Sequence, residues 1–223
     1  MKRTKLVYRL LPTYTKGEEI MNMVTHIVGA SLGIVVLTLC VIRCVVHENI
    51  MGVVATTIYG TSMIALYTIS SIYHGLHPST AKKVLQVLDH CTIYFLIAGT
   101  YTPIVLCAIR PNYPELGWGL FIFQWCLTVL ATTLTAIDLK KYAVFSMICY
   151  IGAGWSIIPF LPQALQVLSP QGFLLLLAGG IAYTFGAILY GIGSKIHWMH
   201  SIFHIFVVIG SFLQFLCIYY FVI

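Results

Sequence analysis

The sequence predicts an all-α integral membrane protein: a bundle of seven transmembrane helices with its N-terminus in the cytoplasm and its C-terminus outside. Three observations predict it. Only 8% of the residues are charged and 60% are hydrophobic, whereas a soluble domain carries about 25% charged residues. The apolar residues gather into seven segments, each near the roughly 20 residues that cross a bilayer. Lysine and arginine concentrate in alternate breaks between those segments.

The segments run from about Ile20 to Ile42, Ile50 to Tyr73, Leu85 to Ile109, Leu116 to Ile137, Ala143 to Phe160, Gly172 to Gly193, and Trp198 to Val222. Residues 1–19 form a cytoplasmic tail and residues 20–223 the transmembrane domain. Helices fit these lengths better than barrel strands, which are about ten residues long and alternate apolar with polar. The basic start of the chain has too short and interrupted an apolar part for a signal-peptide core. The first span is therefore expected to serve as an uncleaved insertion signal. PFLPQALQVLSPQ, uncharged and bounded by prolines, reads as an external loop.

Orientation follows from the positive-inside bias. Lys2, Arg3, Lys5, Arg9 and Lys16 lie in the tail; Lys82 and Lys83, Lys140 and Lys141, and Lys195 lie in the second, fourth and sixth breaks. Arg43 and Arg110 alone fall on the other side. The net charge of +6 thus belongs to loops facing anionic lipid and does not suggest nucleic-acid binding. Seven cysteines, an odd number without a C-x-x-C pair, read as small apolar residues rather than disulfides or a thiolate site.

This topology brings seven of the eight histidines to one layer of the membrane, and leaves His47 on the other side. Ionisable residues in spans usually face the bundle interior and mark function. His200 and His204 are four apart on the last helix and share a face, so both can bind one metal ion. His74, four residues after Ser70 at the end of the second span, is the candidate third ligand. Three histidines leave a fourth tetrahedral position open, the catalytic rather than structural zinc pattern. Asp89 is placed to hydrogen-bond a bound water or orient a ligand; alone it also suits a helix N-terminal charge. All-imidazole ligation suits copper, iron and nickel as well as zinc.

Other polar positions carry blander readings. His77, His90 and His197 read as interfacial residues. His26 is either a structural hydrogen-bonding group or part of the site. It lies in a stripe with Glu19, Asn22, Gly29 and Gly33, where the G-x-x-x-G step permits close helix approach. The roles of Glu18 and Glu19 stay open. Continuing the His200–His204 face reaches Val207, Ser211 and Gln214, which suggests a polar or water-lined cavity rising from the site. Pro103 should kink the third helix and shape that cavity. Trp118, Trp125, Trp155 and Trp198 read as belt or packing residues.

EEIMNMVTHIVGA, SSIYHGLHPS, LDHCTIYFLIAGTYTP and HWMHSIFH together closely resemble the bacterial hemolysin III family, within the larger group of progestin and adipoQ receptors. The resemblance runs from about Glu18 to the last span. It implies a seven-helix bundle with the N-terminus inside and zinc bound by His74, His200 and His204. It further implies that Asp89 holds the zinc-bound water, with Ser70 beside the site. The wider superfamily includes alkaline ceramidases, which suggests hydrolysis of a lipid amide or ester. Three functions are therefore expected in competition: a zinc-dependent intramembrane hydrolase using Asp89 and Ser70, a non-enzymatic sensor or receptor with structural zinc, and a cytolysin or pore. A membrane lipid is the expected substrate or ligand, and the plasma membrane the expected location.

Overall fold

The structure is a computed structural model, and it describes residues 6–193 and 196–223. Among the described residues it is all-helical. The helices are α1 (Lys16–Val46), α2 (Ile50–Gly75), α3 (Thr80–Pro103), α4 (Pro114–Ile137), α5 (Ala143–Gly154), α6 (Leu161–Gly193) and α7 (Met199–Phe221). Six helical stretches among the described residues are long and apolar enough to cross a membrane: α1, α2, Thr80–Ile109, α4, Ala143–Gly193 and α7. Of the basic residues used for orientation, Lys2, Arg3, Lys5 and Lys195 lie outside the described residues.

Neighbours in sequence pack side by side from α1 to α7, and α7 closes back on α1. The surface pattern is inverted relative to a soluble protein. Ile27, Val28, Ile34, Val35, Leu39 and Ile42 of α1 are exposed, while Asn22 and His26 on its other face are buried. Apolar outside and polar inside is the arrangement a lipid solvent selects.

Helix ends have identifiable causes. Thr15 caps α1 in a reciprocal capping box with Glu18, so the helix begins at Lys16, four residues before the apolar run. Asn49 caps α2 through Gly52 N–H, and Ser79 caps α3 through Lys82 N–H. Gly29 and Gly33 bring α1 against α2: a Cβ on Gly29 would lie 2.5 Å from the Tyr67 ring, and one on Gly33 3.0 Å from Ile64.

One expectation needs correction. PFLPQALQVLSPQ is not an open loop. Ile158–Phe160 forms a 3-10 turn and α6 begins at Leu161, running to a break at Ser169, where φ is 59°. Its prolines do not forbid this. Pro159 and Pro162 sit in the first turns of their helices, where an N–H has no intrahelical partner to lose. Pro170 directly follows the break. The expected perturbation at Pro103 takes a specific form. α3 passes into a π-helical turn over Ile104–Ile109, a local rewinding that does not end the helical stretch Thr80–Ile109. Thr100 and Thr102 hydroxyls donate to the carbonyls of Leu96 and Ala98 in the turn before it.

Candidate metal site

The end of α2 and the start of α7 meet at one end of the bundle. His74 lies in the last turn of α2, and His200 and His204 lie in the first two turns of α7. All three are buried, and one ring nitrogen from each lies within 4.8 Å of the others. His200 Nε2 and His204 Nε2 are 3.1 Å apart. Tetrahedral Zn–N bonds of about 2.0–2.1 Å set their nitrogens roughly 3.3 Å apart, so this pair is at ligand spacing.

Ser70, one turn before His74, is buried, and its hydroxyl has no hydrogen-bond partner. Asp89 comes from α3. Ser70, Asp89, His200 and His204 line one cavity, together with His26. The structure therefore gathers the residues singled out from the sequence around one space, with His74 in the ring of histidines beside it.

The chain start of α7 is held in a constrained geometry. Trp198 has a φ of 68°, a region a bulky side chain rarely adopts. Its N–H donates to Glu18 Oε1 at 2.7 Å. Glu18 Oε2 also takes hydrogen bonds from Thr15 N–H and hydroxyl, both at 2.8 Å, and lies 3.2 Å from His197 Nδ1. One buried carboxylate thus ties the entry of α1 to the entry of α7 and sets where His200 emerges.

Tyr14 covers the site from the chain start. Its ring stacks on His200, with centroids 4.8 Å apart, and approaches His74 at 5.8 Å. Burial and the nearby Tyr190, Asp89, Glu19 and Glu18 push its hydroxyl well above the ordinary phenol range, so it stays neutral. Neither its position nor the contact of Glu19 with His74 (Nδ1 to Oε2, 2.6 Å) was legible from spacing within one helix.

The other histidines separate. His77 and His47 are exposed, and His197 is a surface partner of Glu18. His90 departs from its interfacial reading: it lines the cavity and lies 3.1 Å from the Tyr190 hydroxyl. His26 is part of the site's surroundings, stacked on His204 with ring centroids 3.8 Å apart.

The cavity itself corrects a further expectation. It runs from the histidines between α2, α3, α5, α6 and α7, past Leu66, Ile93, Leu96, Ile104, Phe173 and Leu176. Those walls are apolar, not a water-lined path. Along α7 the Ser211 hydroxyl is 2.7 Å from both the Tyr67 and Tyr183 hydroxyls, while Gln214 lines the cavity, with Nε2 donating to Leu176 O at 3.0 Å and Oε1 without a partner.

A family model described as "Haemolysin-III related" matches residues 14–215, which reach from before α1 into α7 and include every candidate site residue. The chain belongs to the haemolysin-III-related family. It is 40% identical over 205 residues to "Hemolysin-3" of Bacillus cereus, covering 92% of each chain. Identity to the "Hemolysin-3 homolog" of Bacillus subtilis (strain 168) is 35% over 208 residues, covering 93% of this chain and 96% of the relative. The human "Monocyte to macrophage differentiation factor" is 29% identical over 161 residues, or 67% of this chain and 63% of that protein.

Proposed function

We propose that this family member is a zinc-dependent intramembrane hydrolase acting on lipid amide or ester bonds. The observation that carries the proposal is the convergence of His74, His200 and His204, beside a carboxylate and a serine, at an apolar cavity. The donor set fits zinc. His74 Nε2 is buried without a hydrogen-bond partner, a costly state that ligation of a cation relieves.

Zinc held there would supply Lewis acidity and a water acidic enough to attack at neutral pH. The chain's own residues have distinct tasks. Asp89 takes the proton of the attacking water and returns it to the leaving nitrogen or oxygen. Ser70 donates its free hydroxyl to the scissile carbonyl oxygen as charge develops there. The apolar walls hold the chain of the lipid and exclude bulk water. Tyr14 closes the site on the side of the chain start.

The proposed setting is a seven-crossing bundle in the plasma membrane, N-terminus inside. Ala143–Gly193 spans 51 residues, about 76 Å as a straight helix, far more than one crossing of roughly 30 Å. The breaks at Trp155–Ile157 and Ser169 let it cross twice. Lys82, Lys83, Lys140 and Lys141 then share the side on which the histidine site opens, which positive-inside places in the cytoplasm.

The test is an unbiased lipid-product screen with purified protein and its Asp89→Asn variant. Lipid hydrolysis lost in Asp89→Asn with zinc retained supports the hydrolase. Zinc bound without turnover of any lipid amide or ester, with His→Ala variants losing thermal stability alone, overturns it in favour of a receptor braced by structural zinc. Conductance of the purified protein in planar bilayers would favour a pore, a reading the apolar cavity walls oppose.

A further inference from the structure

The first turn of α1 supplies no member of the three-histidine set, yet Glu19 reaches into it. Glu19 Oε2 lies 2.6 Å from His74 Nδ1. A carboxylate accepts and does not donate, so the proton between them is carried by Nδ1. In the neutral imidazole a proton on Nδ1 leaves Nε2 its lone pair. Nε2 is the buried nitrogen of His74 that has no hydrogen-bond partner.

The carboxylate is itself held. Lys82 Nζ donates to Glu19 Oε1 at 2.6 Å and to Leu76 O at 2.8 Å. Lys82 is buried, and its ammonium lies 5.3 Å from the centre of the Tyr73 ring. Both oxygens of Glu19 are thus engaged from different helices, one by α2 and one by α3. The carboxylate cannot rotate without losing a charge-assisted hydrogen bond. Asn22 Nδ2, one turn along α1, lies 3.4 Å from the same His74 nitrogen, too far to compete with Glu19 at 2.6 Å.

We propose that Glu19 is a positioning residue for His74, locking the imidazole with Nδ1 protonated and Nε2 turned to the metal, with Lys82 fixing Glu19. The inference rests on the metal reading above. Carboxylate–histidine–metal relays of this kind raise ligand basicity, and their loss lowers metal affinity about 10–100-fold. Glu18, the adjacent carboxylate, turns the other way to Trp198 of α7. The two acids at the start of α1 therefore fix the two halves of the site separately.

The test uses full-length purified wild type, Glu19→Ala and Glu19→Gln, with two readouts. Chelator competition gives zinc affinity; NMR of isotope-labelled histidine in metal-stripped protein gives the His74 tautomer. The wild type is expected to show the Nδ1–H tautomer. Glu19→Ala should lose it and bind zinc about 10–100-fold more weakly. Glu19→Gln keeps an acceptor oxygen and should hold the tautomer with a smaller loss. A purely structural ion pair would shift melting temperature and leave the tautomer unchanged. If Glu19→Ala does not fold, the double variant Glu19→Met, Lys82→Met removes the acceptor without stranding the lysine and should behave alike. Wild-type affinity and wild-type tautomer in the variant lacking the acceptor overturn the proposal. A wild type that takes up no zinc refutes the metal reading, and the tautomer comparison then decides Glu19 by itself.

Discussion

Replacing Gly29 with alanine tests how tightly the helices around the site are set. The added Cβ would lie 2.5 Å from Tyr67 Cδ1 and 2.7 Å from Cε1 and Cγ. Real contacts need at least about 3.4 Å, so the ring must retreat by roughly 1 Å. Tyr67 has nowhere easy to go. It is fully buried, its hydroxyl lies 2.7 Å from Ser211 Oγ and 3.2 Å from Val207 O, and its ring meets the His26 ring at 4.9 Å. Overpacking of this kind costs about 1–3 kcal/mol, and weakening the hydroxyl bonds adds about 1 kcal/mol. Alanine's better helix propensity returns up to about 1 kcal/mol, leaving a net loss of about 1–3 kcal/mol. At about 2–4 °C per kcal/mol for a chain of this length, Gly29→Ala should melt roughly 2–12 °C below wild type. The assay is thermal unfolding in detergent, followed by a thiol-reactive fluorophore reporting Cys40, Cys44, Cys91, Cys149 and Cys217 as they become exposed. Gly119→Ala is the control, since nothing lies within 4 Å of its Cβ. Gly29→Ala melting with the control would refute the reasoning about helix approach.

Further outcomes follow from the site. Asp89→Asn should lower lipid hydrolysis about 10²–10⁴-fold with zinc content unchanged, and Ser70→Ala about 10²–10³-fold; product formation measured beside metal content checks both. Tyr67→Phe removes a hydroxyl that contacts Ser211 and Val207, and should cost about 1–2 kcal/mol in the same melting assay. Metal-stripped protein should melt below the zinc-loaded form, because a ligand held only by the folded state stabilises by about 2.7 kcal/mol at a hundred times its Kd; equal melting curves would contradict that. A tag on the N-terminus should be reached by an impermeant label only after cells are opened, whereas one on the C-terminus should be reached in intact cells.

The same-helix pairs of the candidate site were legible because the α-helical repeat turns spacing into direction. His200 and His204 share a face by being four apart, and Ser70 stands one turn from His74 for the same reason. The G-x-x-x-G step likewise announced a close approach, although nothing in α1 named Tyr67 as the partner. What spacing could not show is contact between helices. Glu19 and Lys82 meet across 63 residues, and Tyr14 and His200 from opposite ends of the sequence. The polar stripe of α7 misled for a related reason: Ser211 is polar, but two tyrosines from other helices occupy its hydroxyl. Prolines misled over residues 158–170, since they break a helix interior but are accepted in its first turn.

The central claim is a metal ion held by His74, His200 and His204. Elemental analysis of protein purified without added metal tests it most directly, on wild type and on the His74→Ala, His200→Ala and His204→Ala variants. About one zinc per wild-type chain is predicted, by the single three-histidine set among the described residues, with each variant falling well below it. A folded wild type holding no divalent metal even after incubation with zinc, or a His204→Ala variant holding as much as wild type, would contradict it.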